Sequence, residues 1–460
     1  MDWIQFGDMN TRYFHSKAIS RRRRSNIIIL KIGSSNWCDD NAQLRVATTT
    51  FFSSLFAVTD SPPEPFPISG YFPMIDSSVY SSLCAIPLDM EIKEALFSMA
   101  PLKAPGIDGL HAHFYQLHWD IVGDSLCKMV KEGFANGCFD TNLNRTAIVL
   151  IPKIIHPKSF ADFRPISLCS FLYKLITKTI VRRLQHILPS LIGPHQTSFI
   201  KGRSISENFI TNQEIIHSMN MKNDKNGWMT IKVDLTKAFD RLRWDFNEDT
   251  LVDARFPAAL ITLIMHCVTS STLQVQWNGE YCNEFQPSRG IHQGDPLSPY
   301  LFNLTMERLS HLISLAVSQG SWAPFRLVRN GTPVSHLFFA DDLILYAKAT
   351  PASAVCINSI LDLFGSCSGH ELGLTTVLQA ELWRVLEGLK LAWSNGHERL
   401  LVQIDSSDVH HLLSLPSPES ALPLVRSIVE LLNRAWFVDF SLIPREANAA
   451  ADRMAKNSSA

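Results

Sequence analysis

The alternation of apolar and polar residues predicts two strand-forming regions that end at aspartates. Residues Trp228–Asp234 alternate with a period of two, as in a half-buried strand. Further along, the apolar runs His336–Ala340 and Leu343–Ala347 flank Asp341 and Asp342. This pattern predicts a β-hairpin with two carboxylates at its tip.

Longer segments have the spacing of helices, and a separate group of elements follows residue 374. Helices are predicted at Leu88–Met99, Phe114–Ala135, Tyr173–Ile187 and Leu297–Val317, with a strand at Thr146–Ile151. Beyond residue 374 the pattern predicts a helix at Leu378–Leu389, a strand at Arg399–Ile404, a helix at Ala421–Ala435 and a strand at Phe437–Ile443. Residues 60–75 contain four prolines within six positions and are predicted to be an irregular linker.

The carboxylates at the hairpin tip leave two interpretations open. A divalent metal would neutralise them, whereas a polar turn between core strands would need no ligand. Turn chemistry favours the metal, because two-residue hairpin loops prefer Asn-Gly or Asp-Gly. Asp234 adds a third carboxylate at the end of a strand, where sheets commonly place site chemistry. Asp240 is predicted to pair with an arginine such as Arg241 or Arg243 instead of binding metal.

Charge is distributed unevenly along the chain, although the formal net charge is only -1. Between Thr141 and Ile205 there are ten Lys and Arg residues and one acidic residue, Asp162. Such an excess is typical of a phosphate-binding surface. Lys153 and Arg164 are candidates for gripping a triphosphate, because an ammonium and a planar guanidinium are the usual phosphate binders. For either residue alone, an ordinary surface charge is the alternative.

Two loops rich in glycine and proline, Pro101–Gly109 and Gln286–Pro299, are predicted to let backbone approach a ligand closely. His292 lies in the second loop and is predicted to have no catalytic role.

Composition excludes several classes of protein. Of 460 residues, 46% are apolar and 18% charged, which is typical of a globular chain. Nine cysteines without a Cys-x-x-Cys pair fit neither a disulfide framework nor a zinc site, and favour a reducing compartment. We expect a nuclear or cytoplasmic location, since a secretory signal and an uncharged apolar run of about 18 residues are lacking.

Six ordered stretches together resemble the reverse transcriptase of plant LINE-type non-LTR retrotransposons. They are Ala104–Gly109, Leu150–Lys153, Phe163–Leu168, Val233–Asp240, Arg289–Pro299 and Phe339–Asp342. The resemblance implies an α+β fold of reverse-transcriptase fingers and palm, followed by a partial RNase H-like α/β segment. The implied domains are residues 1–100, a connector remnant between an endonuclease and the polymerase, 101–374, the fingers and palm, and 375–460, the RNase H-like part.

The resemblance also implies roles for individual residues in nucleotidyl transfer. Asp234, Asp341 and Asp342 would be catalytic and would bind two Mg²⁺ ions. The implied nucleotide-binding residues are Lys153 and Arg164 for the triphosphate, Phe239 as the gate against a ribose 2′-hydroxyl, and Gln293 and Gly294 as lining of the pocket. The implied partners are an RNA template, a DNA primer and deoxynucleoside triphosphates, with no membrane; no oligomeric state is implied.

The segment after residue 374 departs from the polymerase pattern and resembles the second half of an RNase H fold. Glu381, Asp405 and Asp452 match three of four metal-binding carboxylates, while the first three strands of that fold are absent and Leu442 replaces a common histidine. We therefore expect this part to be inactive. Loss of the thumb helices leaves three hypotheses: a working polymerase, a catalytically silent relic, or a nucleic-acid-binding protein without chemistry.

Overall fold

The computed structural model describes most of the chain up to residue 374 and shorter stretches after it. The described residues are 15–16, 26–32, 36–59, 65–154, 157–222, 227–328, 331–339, 342–374, 382, 385–386, 388–390, 392–393, 396–404, 406–414, 420, 422–434 and 436–443. By its contacts the chain divides into two compact units. The first unit contains Met1–Arg203, Lys237–Leu312 and Ile360–Glu371, and the second contains Ser204–Thr236, Ile313–Ser359 and Leu372–Ala460.

Short strands alternate with helices throughout, so the chain is of the α+β class. The strands are Leu30–Ile32 (β1), Asn36–Cys38 (β2), Arg145–Pro152 (β3), Phe163–Leu168 (β4), Trp228–Thr236 (β5), Thr272–Trp277 (β6), Glu280–Phe285 (β7), Phe325–Arg326 (β8), Pro333–Val334 (β9), His336–Phe339 (β10), Asp342–Lys348 (β11), Glu371–Leu374 (β12), Arg399–Ile404 (β13) and Phe437–Leu442 (β14). The helices are Asn41–Leu55 (α1), Ser77–Cys84 (α2), Asp89–Phe97 (α3), Ala112–Leu117 (α4), Trp119–Asn136 (α5), Phe171–Leu191 (α6), Ile205–Met221 (α7), Ala238–Arg241 (α8), Trp244–Asp253 (α9), Ala258–Thr269 (α10), Ser298–Ser318 (α11), Pro351–Ser368 (α12), Ser407–Ser414 (α13) and Pro423–Leu432 (α14).

The first unit is built on a four-stranded sheet with the order β4-β3-β6-β7. β3 runs antiparallel to β4 and parallel to β6. Its core includes Ile148, Val275 and Trp277 from the sheet, together with Leu30 and Phe52 from the amino-terminal segment. Residues far apart in sequence therefore share one apolar core.

The region predicted as one helix, Phe114–Ala135, forms two helices instead. His118 separates α4 from α5 with φ −105° and ψ 26°. After this break, the ring of Trp119 packs edge-on against Phe97, 6.2 Å away. The prediction of a continuous helix was wrong, because a change in dihedral angles at one residue leaves the apolar spacing intact.

The proline-rich segment has no regular structure where it is described, but it is packed against the first unit. The ring of Phe66 lies 4.5 Å from the Arg308 guanidinium, and Arg308 donates to the carbonyl of Ile68 at 2.9 Å. Phe72 is buried. This segment is irregular, as predicted, but from Phe66 onward it is not a free linker.

The second unit contains a four-stranded sheet with the order β10-β11-β5-β12. β10 and β11 form the predicted antiparallel hairpin, with Phe339 opposite Asp342. Asp342 is the first residue of β11, so it belongs to a strand and not to the turn. Along β5 the predicted alternation is confirmed, since Val233 and Leu235 are buried whereas Asp234 is exposed.

The described residues after 374 form a small cluster of their own within the second unit. β13 and β14 pair in parallel, and Leu382, Ile404 and Ile428 lie in their apolar core. Helix α13 was not predicted. The helix predicted at Ala421–Ala435 is shorter, and it begins at Pro423, a residue suited to the first turn.

Among the described residues, no helix has the length and apolar character needed to cross a membrane.

Candidate functional site

Two of the predicted aspartates face each other across adjacent strands of the second unit. The register of β5 and β11 places Asp342 directly opposite Asp234. Side chains at such positions lie about 4.5–5.5 Å apart at Cβ, and like charges placed there repel. Asp341, the third predicted carboxylate, lies outside the described residues. A positive charge nearby would therefore stabilise the observed pair.

Lys232 supplies a positive charge beside this pair. Its Nζ lies 3.0 Å from Asp342 Oδ1, and both side chains are about half exposed. Because Lys232 and Asp234 are two residues apart in one strand, they lie on the same face of the sheet. The ammonium thus neutralises part of the negative charge that a bound metal ion would also neutralise.

The chemistry of the opposed pair fits a magnesium ion. Carboxylate oxygens are the ligands that Mg²⁺ prefers, and the face that carries them is open to water. Within the described part of the chain there is no group of three or more His, Cys, Asp or Glu residues placed to hold a metal. Asp234 and Asp342 would be two ligands of such an ion, and Asp341 is the sequence candidate for another.

The two predicted triphosphate binders lie together in the first unit. In the β3–β4 hairpin, Ile151 is paired with Arg164, and the amide of Lys153 donates to the carbonyl of Asp162 at 2.8 Å. Lys153 is two residues beyond Ile151, so its side chain projects from the same face as that of Arg164. Both cationic side chains are exposed there.

The loop that contains Gln293 and Gly294 is fastened to β4. The carbonyl of Gln293 accepts from the amide of Ser167 at 2.8 Å. Gly294 has φ +120°, and a Cβ at this position would lie 2.8 Å from the carbonyl oxygen of Ser167. Only glycine allows this approach, so the loop is held against the strand that carries Arg164.

Phe239 is held in place by stacking and by a backbone hydrogen bond. Its ring stacks on Phe302 with centroids 4.8 Å apart, and its carbonyl accepts from Ile291 at 2.8 Å. His370 Nε2 lies 2.9 Å from the carbonyl of Ala238, which supports the same turn. Burial lowers the pKa of His370 to about 4. No sequence pattern pointed to His370, since none of the motifs contains it.

Asp240 does not pair with either arginine named in the sequence analysis. Arg241 pairs with Glu371 and Arg243 with Asp245, each at 2.6 Å. The carboxylate of Asp240 instead accepts a hydrogen bond from Gln293. The prediction of an arginine partner was wrong, because it considered only residues close in sequence.

Asp240 Oδ1 accepts from Gln293 Nε2 at 3.2 Å, and Asp240 Oδ2 is buried without a hydrogen-bond partner. Burial raises the pKa of Asp240 to about 7, although the neighbouring Lys237 opposes this shift. Burial likewise lowers the pKa of Lys237 to about 8. The polar group that orients Gln293 is therefore a buried carboxyl group beside a buried amine.

The first glycine- and proline-rich loop has structural roles that explain its residues. A Cβ on Gly106 would lie 2.5 Å from the carbonyl oxygen of Cys169. Asp108 accepts from the amides of Leu110 and Phe171, at 3.3 and 3.1 Å. The loop is thus fixed to the amino terminus of α6. His292 is buried beside Cys169, and burial lowers the pKa of His292 to about 4.

The RNase H-like residues Glu381, Asp405 and Asp452 lie outside the described residues. The candidate residues that are described belong to two units: Asp234 and Asp342 to the second, and Lys153, Arg164, Phe239, Gln293 and Gly294 to the first.

Two family models match the chain. Residues 155–374 match the model described as reverse transcriptase (RNA-dependent DNA polymerase). Residues 348–458 match the model described as reverse transcriptase-like. The two matches overlap at residues 348–374 and follow the order that the motifs predict.

Relatives in other organisms carry similar segments. The chain is 27% identical over 348 residues to a transposon TX1 protein of Xenopus laevis, covering 74% of this chain and 26% of that protein. It is 25% identical over 301 residues to the retrovirus-related Pol polyprotein of the type-2 retrotransposable element R2DM of Drosophila melanogaster, covering 65% and 27%. An uncharacterized mitochondrial protein of Arabidopsis thaliana is 54% identical over 56 residues, covering 12% and 46%.

The chain spans about a quarter of the length of the first two relatives. Residues 155–374 are thus similar to a reverse transcriptase domain and residues 348–458 to a reverse transcriptase-like segment, and the relatives that share them include retrotransposable-element proteins.

Proposed function

We propose that this chain is an RNA-directed DNA polymerase that extends a DNA primer on an RNA template with deoxynucleoside triphosphates. The observation that carries the proposal is the direct opposition of Asp234 and Asp342 on neighbouring strands. The match of residues 155–374 to the reverse transcriptase model supports it. Asp341 would complete the set of catalytic carboxylates.

In this proposal the aspartates hold two Mg²⁺ ions. Bound Mg²⁺ would activate the primer 3′-hydroxyl and stabilise charge on the leaving pyrophosphate. Lys153 and Arg164, on one face of their hairpin, bind the triphosphate oxygens.

Phe239, Gln293 and Gly294 bind the sugar and base of the incoming nucleotide. The stacked ring of Phe239 blocks a ribose 2′-hydroxyl, while Gln293 and Gly294 line the pocket. The hydrogen bond that Gln293 donates to Asp240 sets the position of the Gln293 side chain.

Primer extension on poly(rA)·oligo(dT) with Mg²⁺ tests the proposal. We expect Asp342→Asn and Asp234→Asn each to lower the extension rate on the order of 100-fold or more, the scale seen when charge stabilisation is removed from a site. Asp362→Asn, on the exposed surface of α12, is the matched control and should extend like the parent chain. Extension that survives both site variants would reject the assignment of these carboxylates.

A second candidate is a nucleic-acid-binding protein, or a silent relic, without polymerase chemistry. The basic excess between residues 141 and 205 favours binding even without chemistry. Binding of the primed template by the parent chain without any extension would support this candidate.

We propose that the RNase H-like segment does not cleave RNA·DNA hybrids. The proposed metal ligands of this remnant are Glu381, Asp405 and Asp452, and the described part of its sheet has two strands, β13 and β14. Cleavage of a labelled hybrid by the parent chain, lost in Glu381→Gln, would overturn this proposal.

We also propose a plant source, the domain limits 1–100, 101–374 and 375–460, and a nuclear or cytoplasmic location. The 54% identity to the Arabidopsis thaliana protein supports the source. The reverse transcriptase match ends at residue 374, which supports the proposed boundary between residues 374 and 375. All nine cysteines are free thiols, which supports a reducing compartment. Leu30, Leu44 and Phe52 lie in the apolar core of the first unit, so this part of the proposed connector folds together with β3 and β6.

A further inference from the structure

Helix α1 lies outside both family matches, yet it contacts the turn that carries Phe239 and Asp240. The ammonium of Lys237, at the start of that turn, lies 4.6 Å from the ring centre of Phe51 and 5.8 Å from that of Phe52. Both rings belong to α1. The face of an aromatic ring attracts a cation within about 6 Å, so α1 holds the charged end of this lysine.

The position of the Lys237 ammonium depends on these two rings. Its Nζ atom is buried and has no hydrogen-bond partner among the described residues. The backbone of Lys237 has φ 52°, a left-handed conformation that residues other than glycine adopt rarely. A buried charge without a hydrogen bond needs another source of stabilisation, and the ring faces provide it together with the charge of Asp240.

The amine acts in turn on the buried carboxyl group that accepts from Gln293. The amide of Asp240 donates to the carbonyl of Lys237 at 3.0 Å, so both side chains leave the same turn. Burial raises the pKa of Asp240, and the charge of Lys237 opposes that rise more than any other neighbour does. Moving the ammonium would therefore change the group that orients Gln293.

The carboxyl end of α1 is fastened to the loop that contains Gln293. The carbonyl of Phe56 accepts from the amides of Ser288 and Arg289, at 2.8 and 3.2 Å. The carbonyl of Leu55 accepts from Arg289 Nε at 2.9 Å. The same helix thus holds both the turn and the loop that carry candidate pocket residues.

Gly290 lies where the helix end, the loop and the turn meet, all within the first unit. Its φ is +90°, and a Cβ there would lie 2.7 Å from the carbonyl oxygen of Asp240 and 2.9 Å from Phe56 Cδ1. Its amide donates to the carbonyl of Leu242 at 2.7 Å. Because the three elements are in direct contact, a displacement of α1 would move the other two.

We propose that α1 is a clamp on the candidate nucleotide pocket, in which the rings of Phe51 and Phe52 hold the Lys237 ammonium beside Asp240 and so position Gln293. The two phenylalanines are positioning residues, because they act on the pocket through Lys237. That the pocket takes a nucleotide rests on the proposed function. The clamp itself does not, because the accessibility of Lys237 can be measured without primer or nucleotide.

The first test measures primer extension on poly(rA)·oligo(dT) at varied dTTP. Phe51→Leu removes a ring face and keeps an apolar side chain, whereas Phe51→Tyr keeps the face. We expect Phe51→Leu to raise the KM for dTTP about 2- to 10-fold with little change in kcat, the scale of one cation–π contact. Phe51→Tyr should keep the parent KM, as should Val46→Ala at an exposed position of α1.

A double-mutant cycle separates positioning from general packing. Lys237→Met removes the charge that the rings hold, so Phe51→Leu should raise the KM no further in that background. Equal effects of Phe51→Leu in both backgrounds would overturn the proposal, as would a loss in Phe51→Tyr as large as that in Phe51→Leu. Thermal melting identifies any variant that fails to fold.

The second test is acetylation of lysines in the chain without nucleic acid, read by mass spectrometry. In the parent, Lys237 should react several-fold more slowly than Lys128, whose side chain is 78% exposed. Phe51→Leu should speed the acetylation of Lys237 and leave Lys128 unchanged, while Phe51→Tyr should change neither. If Lys237 reacts as fast as Lys128 in the parent, the clamp is rejected without any variant.

These outcomes are separable from failure of the proposed function. If the parent chain extends no primer while Phe51→Leu exposes Lys237 to acetylation, the polymerase assignment fails and the clamp stands. If Asp342→Asn abolishes extension while Phe51→Leu leaves both the KM and the acetylation of Lys237 unchanged, the polymerase assignment stands and the clamp fails.

Discussion

Asp240 is buried beside the candidate nucleotide pocket and orients Gln293. Replacing it with Leu removes the acceptor, whereas Asn keeps an oxygen acceptor of similar shape. A net hydrogen bond is worth about 0.5–1.5 kcal/mol. We therefore expect Asp240→Leu to raise the KM for dTTP about 2- to 10-fold, with a smaller change in kcat.

Steady-state extension at varied dTTP measures this effect, and Asp240→Asn is the matched variant, expected to stay near the parent KM. Equal KM values for the Leu and Asn variants, or a loss confined to kcat, would show that Asp240 does not act through Gln293.

Lys232 is the cation nearest to Asp342 that the structure records. Lys232→Met removes this charge and leaves the repulsion between Asp234 and Asp342 to be relieved by added metal. We expect Mg²⁺ to raise the Tm of this variant more than that of the parent, by about 2–4 °C for each kcal/mol of additional binding energy.

Melting curves with and without Mg²⁺ provide the measurement. Lys348→Met, at the far end of the same strand pair, is the control. The interpretation fails if the two methionine variants respond to Mg²⁺ alike.

At the residue scale, the sequence predicted where the aspartates lie along the strands better than it predicted which residues contact them. The period of two and the hairpin pattern predicted strands that end near Asp234 and begin near Asp342, because both are local properties. The partner of Asp240 lies 53 residues away. Which residue becomes a partner at that separation depends on how the loops pack, and this packing cannot be predicted from local sequence.

At the element scale, the Pro101–Gly109 loop and the start of α6 depend on close backbone contact at Gly106. Gly106→Ala would place a methyl group 2.5 Å from the carbonyl oxygen of Cys169, so backbone has to shift. We expect a loss of about 1–3 kcal/mol in the free energy of unfolding, the usual cost of overpacking.

Urea denaturation measures the change, with Gly388→Ala as the control because no atom lies near the added methyl group there. If Gly106→Ala loses no more unfolding free energy than the control, the loop accommodates the methyl group and does not hold α6 in place.

Some periodic elements were predicted, whereas others, such as α1, α7, α10, β6 and β7, and the interruptions were not. β5, the β10–β11 hairpin and α6 follow from apolar spacing within each segment. The break at His118 and the short helix Ser407–Ser414 were missed, since one depends on a single pair of dihedral angles and the other on packing against β13 and β14.

At the scale of the whole molecule, buried ionisable groups of the first unit set opposing dependences of stability on pH. Burial raises the pKa of Glu307 to about 7 from its usual value near 4.5, so the contribution of Glu307 to folding stability is fully present below pH 4.5 and is lost as pH rises through 7. Burial lowers the pKa of His292 and His311 to about 4. Their contribution to folding stability is therefore present above pH 6.5 and is lost as pH falls through 4.

Glu307→Gln removes the dependence due to Glu307 and leaves that of His292, whereas His311 Nε2 lies 3.7 Å from the Glu307 carboxylate and loses this neighbour. The Tm of this variant relative to the parent should therefore rise between pH 4.5 and 7 and stay level outside that range, each pKa unit being worth about 1.4 kcal/mol. Melting curves from pH 4 to 9 provide the check, with the exposed Glu248→Gln as control. A Tm difference that is constant across this range would contradict the assignment to Glu307.

Arg308, nearly inaccessible to water, binds the Ile68 carbonyl and ion-pairs with Asp249 and Asp253. Any shortened version of the chain that starts at residue 101 would remove the Phe66–Phe72 segment from this arginine and expose to water a guanidinium that the fold buries. Fragments for expression or crystallisation should therefore retain this stretch, even though none of the polymerase motifs lies within it.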